Sequence, residues 1–335
     1  MCSRFFKISV FFLFTWMIPR NFVIKIEVML TFLEKEGMCK KTFAQHGQFW
    51  HLCTDGTKMA DIFCTEDDFK QGMIALAVSI VLFAKVDLLT FELMNNHVHL
   101  ILCGKKEGCM EFFTIFKGKL KRLFRGRDRV VDWNCFEAQI IEIKDLKALR
   151  NEILYVHRNA YVVNSNYTPF SYPWGGGWAY FSPVIYQLPV KSVSEIGCNK
   201  ARELTHYRNV SEIARLKFVG DIPFIPSFCR VDVGQDMFRD ARSYFHSITR
   251  EVEAFSQIAS RLKDQVFLTN EEMFRVAANY AQECFSRKLT MLTPGQKIEL
   301  ARKLHYDYNA SNDILRRVLK LEVSVLNELF PSATT

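Results

Sequence analysis

Leu93-Met94-Asn95-Asn96-His97-Val98-His99-Leu100-Ile101-Leu102 carries the most informative strand pattern in the chain. Side chains alternate across an extended strand, so His97 and His99 fall on one face while Val98, Leu100 and Leu102 fall on the other. Two imidazoles on one side of a strand with an apolar back are an economical pair of ligands for a divalent metal. The same pattern also suits two histidines satisfied within a core. The alternation assigns Glu92 to the face opposite the histidines, so it joins their ligand set only if a bulge intervenes.

Outward from this stretch, 49–54 is a short apolar strand, 66–84 has helical apolar spacing, and 88–103 has strand character throughout. A basic helix over 110–125, a β-type run over 139–143 and a helix over 145–162 follow. These alternations give an α+β or α/β core. Segment 164–182 concentrates Pro, Gly and aromatics, so it reads as an ordered loop at a domain edge. Its Tyr172-Pro173-Trp174 and Gly175-Gly176-Gly177-Trp178 suit either a lid packed on the core or a platform stacking a base.

The C-terminal part is mostly helical from 236 onward. Thr293-Pro294-Gly295-Gln296 offers an N-cap, a proline at the first helical position and a capping-box glutamine, opening a helix to about Tyr308. Ser311 caps a second helix over 312–319, and a third spans 322–330. Three short helices with tight turns outline either a helix-turn-helix or an ordinary bundle. At 335 residues the chain suits more than one domain. The expected division is an N-terminal extension over 1–45 with no assigned role, a catalytic domain over 46–182, a linker and helical region over 183–290, and a helix-turn-helix-like DNA-binding region over 291–335.

Hydrophobic residues at 49% and charged residues at 24% exclude wholesale disorder. A net charge of +8 favours a polyanionic partner without naming one. Ten cysteines without a C-x-x-C pair fit free thiols in a reducing cytoplasm. The apolar stretch 5–18 is interrupted by Lys7, is shorter than the ~20 residues that span a bilayer, and leads into Pro19-Arg20-Asn21, which is no cleavage site. No stable membrane association is therefore expected, and Met29 and Met38 stand as alternative starts.

Helix 151–159 places Tyr155 and Asn159 four residues apart, on one face and one turn from each other. Asn159 can complete a metal site while Tyr155 addresses what the metal polarises; a half-buried packing tyrosine is the alternative. His157 lies about 200° around the helix from Tyr155 and is not placed to touch it. Between these halves, Lys117, Lys119, Lys121, Arg122, Arg125, Arg127 and Arg129 are opposed only by Asp128. Interleaved with Phe116, Leu120 and Phe124, they suit backbone contacts to nucleic acid better than a solvated face of mixed charge.

MNNHVHLIL, then YVHRNAYVV, then YPW resembles the single-tyrosine HUH transposases of the IS200-like family, and most of all the REP-associated tyrosine transposase branch. The resemblance spans about 48–181 in order and spacing. It implies that His97 and His99 are paired metal ligands, Asn159 the third ligand and Tyr155 the nucleophile, on a ferredoxin-like α/β catalytic domain. Two positions depart from the family pattern: Asn95 stands where members read Pro, and Ala160 where Pro follows the Asn.

The implied activity is cutting and rejoining of single-stranded or hairpin DNA with magnesium or manganese, leaving a 5′-phosphotyrosine and a free 3′-hydroxyl. A homodimer is one arrangement the family uses. Phosphotyrosine conserves bond energy for rejoining, and no Walker-type phosphate loop is present. Two other readings are a domesticated DNA-binding regulator that keeps the fold without cleavage, and a metal phosphoesterase using water as nucleophile.

Overall fold

The computed structural model describes residues 20–125, 131–163, 167–248, 270–308 and 310–330, with positions 258, 262 and 268. The long helix α1 (Arg20–His46) precedes β1 (Phe49–Thr54), whose alternating apolar side chains are all buried. Next come α2 (Glu66–Leu82), β2 (Val86–Leu93), β3 (Val98–Gly104), α3 (Lys106–Leu123), β4 (Ala138–Ile143) and α4 (Leu146–Val163). The strands form one sheet in the order β2-β3-β1-β4 with every neighbouring pair antiparallel. The fold class is α+β.

Run 88–103, read from sequence as one strand, is a hairpin. Asn95 and Asn96 supply its turn, as asparagine readily does, and the Met94 N–H donates to the His97 carbonyl at 2.9 Å. Turning the chain resets the parity of the alternation. Leu93 now opposes Val98, and Glu92 opposes His99. Directly opposed residues of an antiparallel pair share a face, so Glu92 lies on the same face as His99, contrary to the single-strand reading.

Helices cover both faces of the sheet. Thr65 and Asp68 form a reciprocal capping box that starts α2, which packs beside α3. Leu93 meets α2 at Gly72, where a Cβ would come 3.0 Å from its side chain, and Lys106 at the start of α3 lies over the Trp50 ring. The opposite face, which carries His51, His99, Thr90 and Glu92, receives α4.

β2 is an edge strand, and the aromatic segment closes that edge. Leu93 N–H donates to the Trp174 carbonyl at 2.9 Å, Gly176 N–H to Phe91 at 2.8 Å, and the Tyr172 hydroxyl to Leu93 at 2.6 Å. Trp174 is buried and stacks on Phe69. Tyr172 and Trp174 are thus a lid on the core, with no face left for a base.

The short elements β5 (Lys191–Ser192), α5 (Val193–Ile196), α6 (Cys198–Thr205), β6 (Lys217–Val219), β7 (Ile222–Pro223), α7 (Val231–Asp236) and α8 (Ala241–Ile248) continue the first core. That core is continuous through Phe228, Tyr244, Ile258 and Leu262, so it crosses the division expected at 182/183. A second core begins at Leu268 and joins α9 (Asn270–Phe285), α10 (Pro294–Tyr308), α11 (Asn312–Leu319) and α12 (Val323–Leu329). α9 therefore packs with the last three helices instead of with the region before 290, because Met273, Ala277 and Ala281 face them. Thr293 and Gln296 cap α10 reciprocally, and Ser311 caps α11.

The second half of the expected extension is docked: Glu36 of α1 accepts two bonds from Arg150 at 2.9 and 3.0 Å, and Cys39 is buried. Segment 5–18 lies outside the described residues. No helix among the described residues is long and apolar enough to cross a membrane, and no disulfide links the described cysteines.

Candidate active site

α4 is amphipathic, and Glu152, Tyr155 and Asn159 recur at i, i+3 and i+7 on one stripe of it. Against this stripe β1 sets His51 and β3 sets His99. The Tyr155 ring centroid lies 5.7 Å from that of His99 and 6.0 Å from that of His51, and His97 and His99 are 4.9 Å apart at 86°. The His99 ring thus contacts those of both His97 and Tyr155, which brings together three of the four residues expected from sequence. Asn159 follows one turn along the helix, 8% exposed.

Two members of the cluster escaped the sequence reading. His51 Nδ1 is 2.7 Å from Glu152 Oε2, and His51 Nε2 is 3.0 Å from His99 Nδ1. All three side chains are buried. The available signal was Glu152 itself: a carboxylate on the stripe that carries Tyr155 must be paired if that stripe faces a core.

His97 sits in the hairpin turn one residue before β3, half-buried. Asn96 fixes it: the Asn96 Nδ2 group donates to the Gly56 carbonyl at 2.8 Å, turning Oδ1 toward His97 Nδ1 at 2.7 Å. Gly56 is required by this close approach, since a Cβ there would fall 2.7 Å from His97 Nδ1. Gly56→Ala should displace the imidazole and lower any His97-dependent activity by about 10²-fold, the scale of a 1 Å misplacement, with little change in thermal midpoint. Paired activity and melting measurements check this.

Among the described residues no group of three or more His, Cys, Asp or Glu side chains is arranged to hold a metal ion. The donor set here is of another kind, two imidazoles with one amide. An ion about 2.1 Å from each ring nitrogen places two ring centroids roughly 4.5–5.5 Å apart, and the observed 4.9 Å falls in that range. Asn159 is buried one turn beyond Tyr155, and the amide oxygen, not the Nδ2 donor, is the atom such a ligand would use. The spacing of the two imidazoles is compatible with one divalent cation held between them.

Other polar groups on this face are structural. His157 is buried between Thr90 Oγ1 at 2.6 Å and the Tyr244 hydroxyl at 2.8 Å, and burial lowers its pKa from 6.5 to about 3. Between those values the unfolded chain binds a proton that the folded chain refuses, so stability is fully present above pH 6.5 and falls as pH drops. The expected slope is up to about 1.4 kcal/mol per pH unit. His157→Gln should flatten it, as urea midpoints at pH 4 and pH 7 would show.

Arg158, 2% exposed, reaches Glu272 of α9 at 2.5 Å. This ion pair ties α4 to the second core.

Helix α3 buries Phe112, Phe113, Phe116 and Leu120, with Phe124 just beyond its end, and exposes Lys121, Arg122 and Arg125. Lys117 and Lys119 are half-buried; Lys119 lies over the Tyr207 ring, and burial together with Arg122 lowers its pKa. Lys119 and Arg122 line a pocket of about 300 Å³ with Thr205, His206 and Tyr207. The helix is across the sheet from His99 and Tyr155. Its C-terminal end nevertheless reaches the end of the sheet where His97 sits, because Phe124 packs on Phe63 and the Phe63 N–H donates to Asn95. Arg127 and Arg129 lie outside the described residues.

No protein-family model, curated protein or solved structure matches the chain.

Proposed function

We propose that the chain is a metal-dependent tyrosine transposase of the single-tyrosine HUH kind, cutting and rejoining single-stranded or hairpin DNA. The observation that carries this reading is the meeting of His97, His99 and Tyr155 rings between β3 and α4. Support also comes from the strand-helix-strand-strand-helix-strand order with its β2-β3-β1-β4 sheet, which agrees with a ferredoxin-like catalytic domain.

His97, His99 and Asn159 would hold magnesium or manganese, which supplies Lewis-acid polarisation of the scissile phosphate. Tyr155 attacks phosphorus through its phenolic oxygen, the 3′-oxygen leaves and takes a proton, and the 5′-phosphate stays on the tyrosine. Reversal by a 3′-hydroxyl rejoins the strand and frees Tyr155. Lys121, Arg122 and Arg125 contact the DNA backbone beside the His97 end of the sheet. The capped helices α10 to α12 act as a helix-turn-helix-like unit on duplex parts of the hairpin.

One observation favours the regulator reading. Tyr155 is 4% exposed, so attack requires its ring or the side chains covering it to move aside. Incubating labelled hairpin DNA with the protein and manganese, then resolving on a denaturing gel, separates the two. A metal-dependent covalent adduct supports the transposase; tight hairpin binding without an adduct on any substrate supports the regulator.

A further inference from the structure

We infer that Glu152 and His51 are positioning residues which, by a fixed order of protons, hold His99 in the tautomer that offers Nε2 to a cation. This rests on the metal-binding reading of His97 and His99. With Glu152 as the acceptor and His51 as a neutral imidazole, the 2.7 Å contact puts the proton on His51 Nδ1. A neutral imidazole carries one N–H. His51 Nε2 therefore holds a lone pair, and the 3.0 Å contact to His99 Nδ1 makes that nitrogen the donor. His99 is left with its lone pair on Nε2.

An independent device reaches the same result at His97. The Asn96 amide, oriented by its bond to the Gly56 carbonyl, presents an acceptor oxygen to His97 Nδ1 at 2.7 Å. His97 Nδ1 must then carry the proton, and Nε2 the lone pair. Two unrelated contacts thus select the same ring nitrogen on both histidines. Orientation of a ligating histidine by a hydrogen bond to its other nitrogen is a general feature of metal sites. Here it begins at a carboxylate on α4, one turn before Tyr155, so one side chain sets both the His99 tautomer and the seating of the helix that carries Tyr155.

The test uses metal-free full-length protein labelled with 15N in its histidines, whose two-bond proton–nitrogen correlations distinguish the tautomers. His51, His97 and His99 should all be protonated on Nδ1, and manganese should broaden the Nε2 signals of His97 and His99. Glu152→Gln keeps an acceptor oxygen and should keep the tautomers. Glu152→Leu removes it and should mix the His99 tautomers and weaken manganese binding by about 10–100-fold. His99 protonated on Nε2 in the wild type, or a His99 tautomer indifferent to Glu152→Leu, overturns the inference. Tautomers as expected without manganese broadening support the proton order and count against the cation-binding reading instead.

Discussion

On the transposase reading proposed above, Tyr155→Phe should bind hairpin DNA as the wild type does and form no covalent adduct. The substitution removes one oxygen from a ring that is otherwise packed against His51 and His99, so the fold and the exposed basic side chains of α3 stay intact. Losing a nucleophile costs far more than losing an orienting contact. Cleavage should fall by at least about 10³-fold, to what water can do at the same site. Gel-shift and denaturing-gel assays on one substrate read the two properties separately. If the variant cleaves as fast as the wild type, water is the nucleophile and the phosphoesterase reading takes over. The hairpin has already removed the parity objection to Glu92, although no three-residue cluster of metal-binding type includes it among the described residues.

Glu272→Ala should destabilise the protein by up to about 3–5 kcal/mol, because it removes the carboxylate that the buried Arg158 guanidinium reaches at 2.5 Å. The pair spans 114 residues and joins the two cores. Replacing both partners, Arg158→Met with Glu272→Leu, should recover most of the loss, since a buried ion pair itself contributes little relative to apolar packing. Urea unfolding of both single variants and the double variant measures this. Equal losses in Glu272→Ala and the double variant would mean that packing, and not the uncompensated charge, carries the effect.

Much of the fold was legible because its elements are periodic. The runs at 49–54, 66–84, 139–143 and 145–162 all form the elements their spacing predicts, within two residues at each end. The failure at 88–103 has a definite cause. Two asparagines flanked by apolar residues do not look like a break, and alternation counted through a turn assigns every later residue the wrong partner face. The nearness of His97 and Tyr155 to His99 was legible where residue type and spacing coincide, although spacing assigns none of them a role. His51 was not, because its role depends on the register of β1 against β3, which local pattern does not encode. The basic stripe was read correctly as amphipathic, but its position across the sheet from the tyrosine is a property of topology.

The Arg158–Glu272 pair also bears on how the protein is made. Glu272 emerges from the ribosome 114 residues after Arg158, a delay of roughly 6–20 s at ordinary rates of synthesis. Through that interval the helix bearing Tyr155 lacks the ion pair that ties it to the second core. A nascent product would then hold the tyrosine helix by the first core alone, and the tie between the two cores would close only once Glu272 has been made.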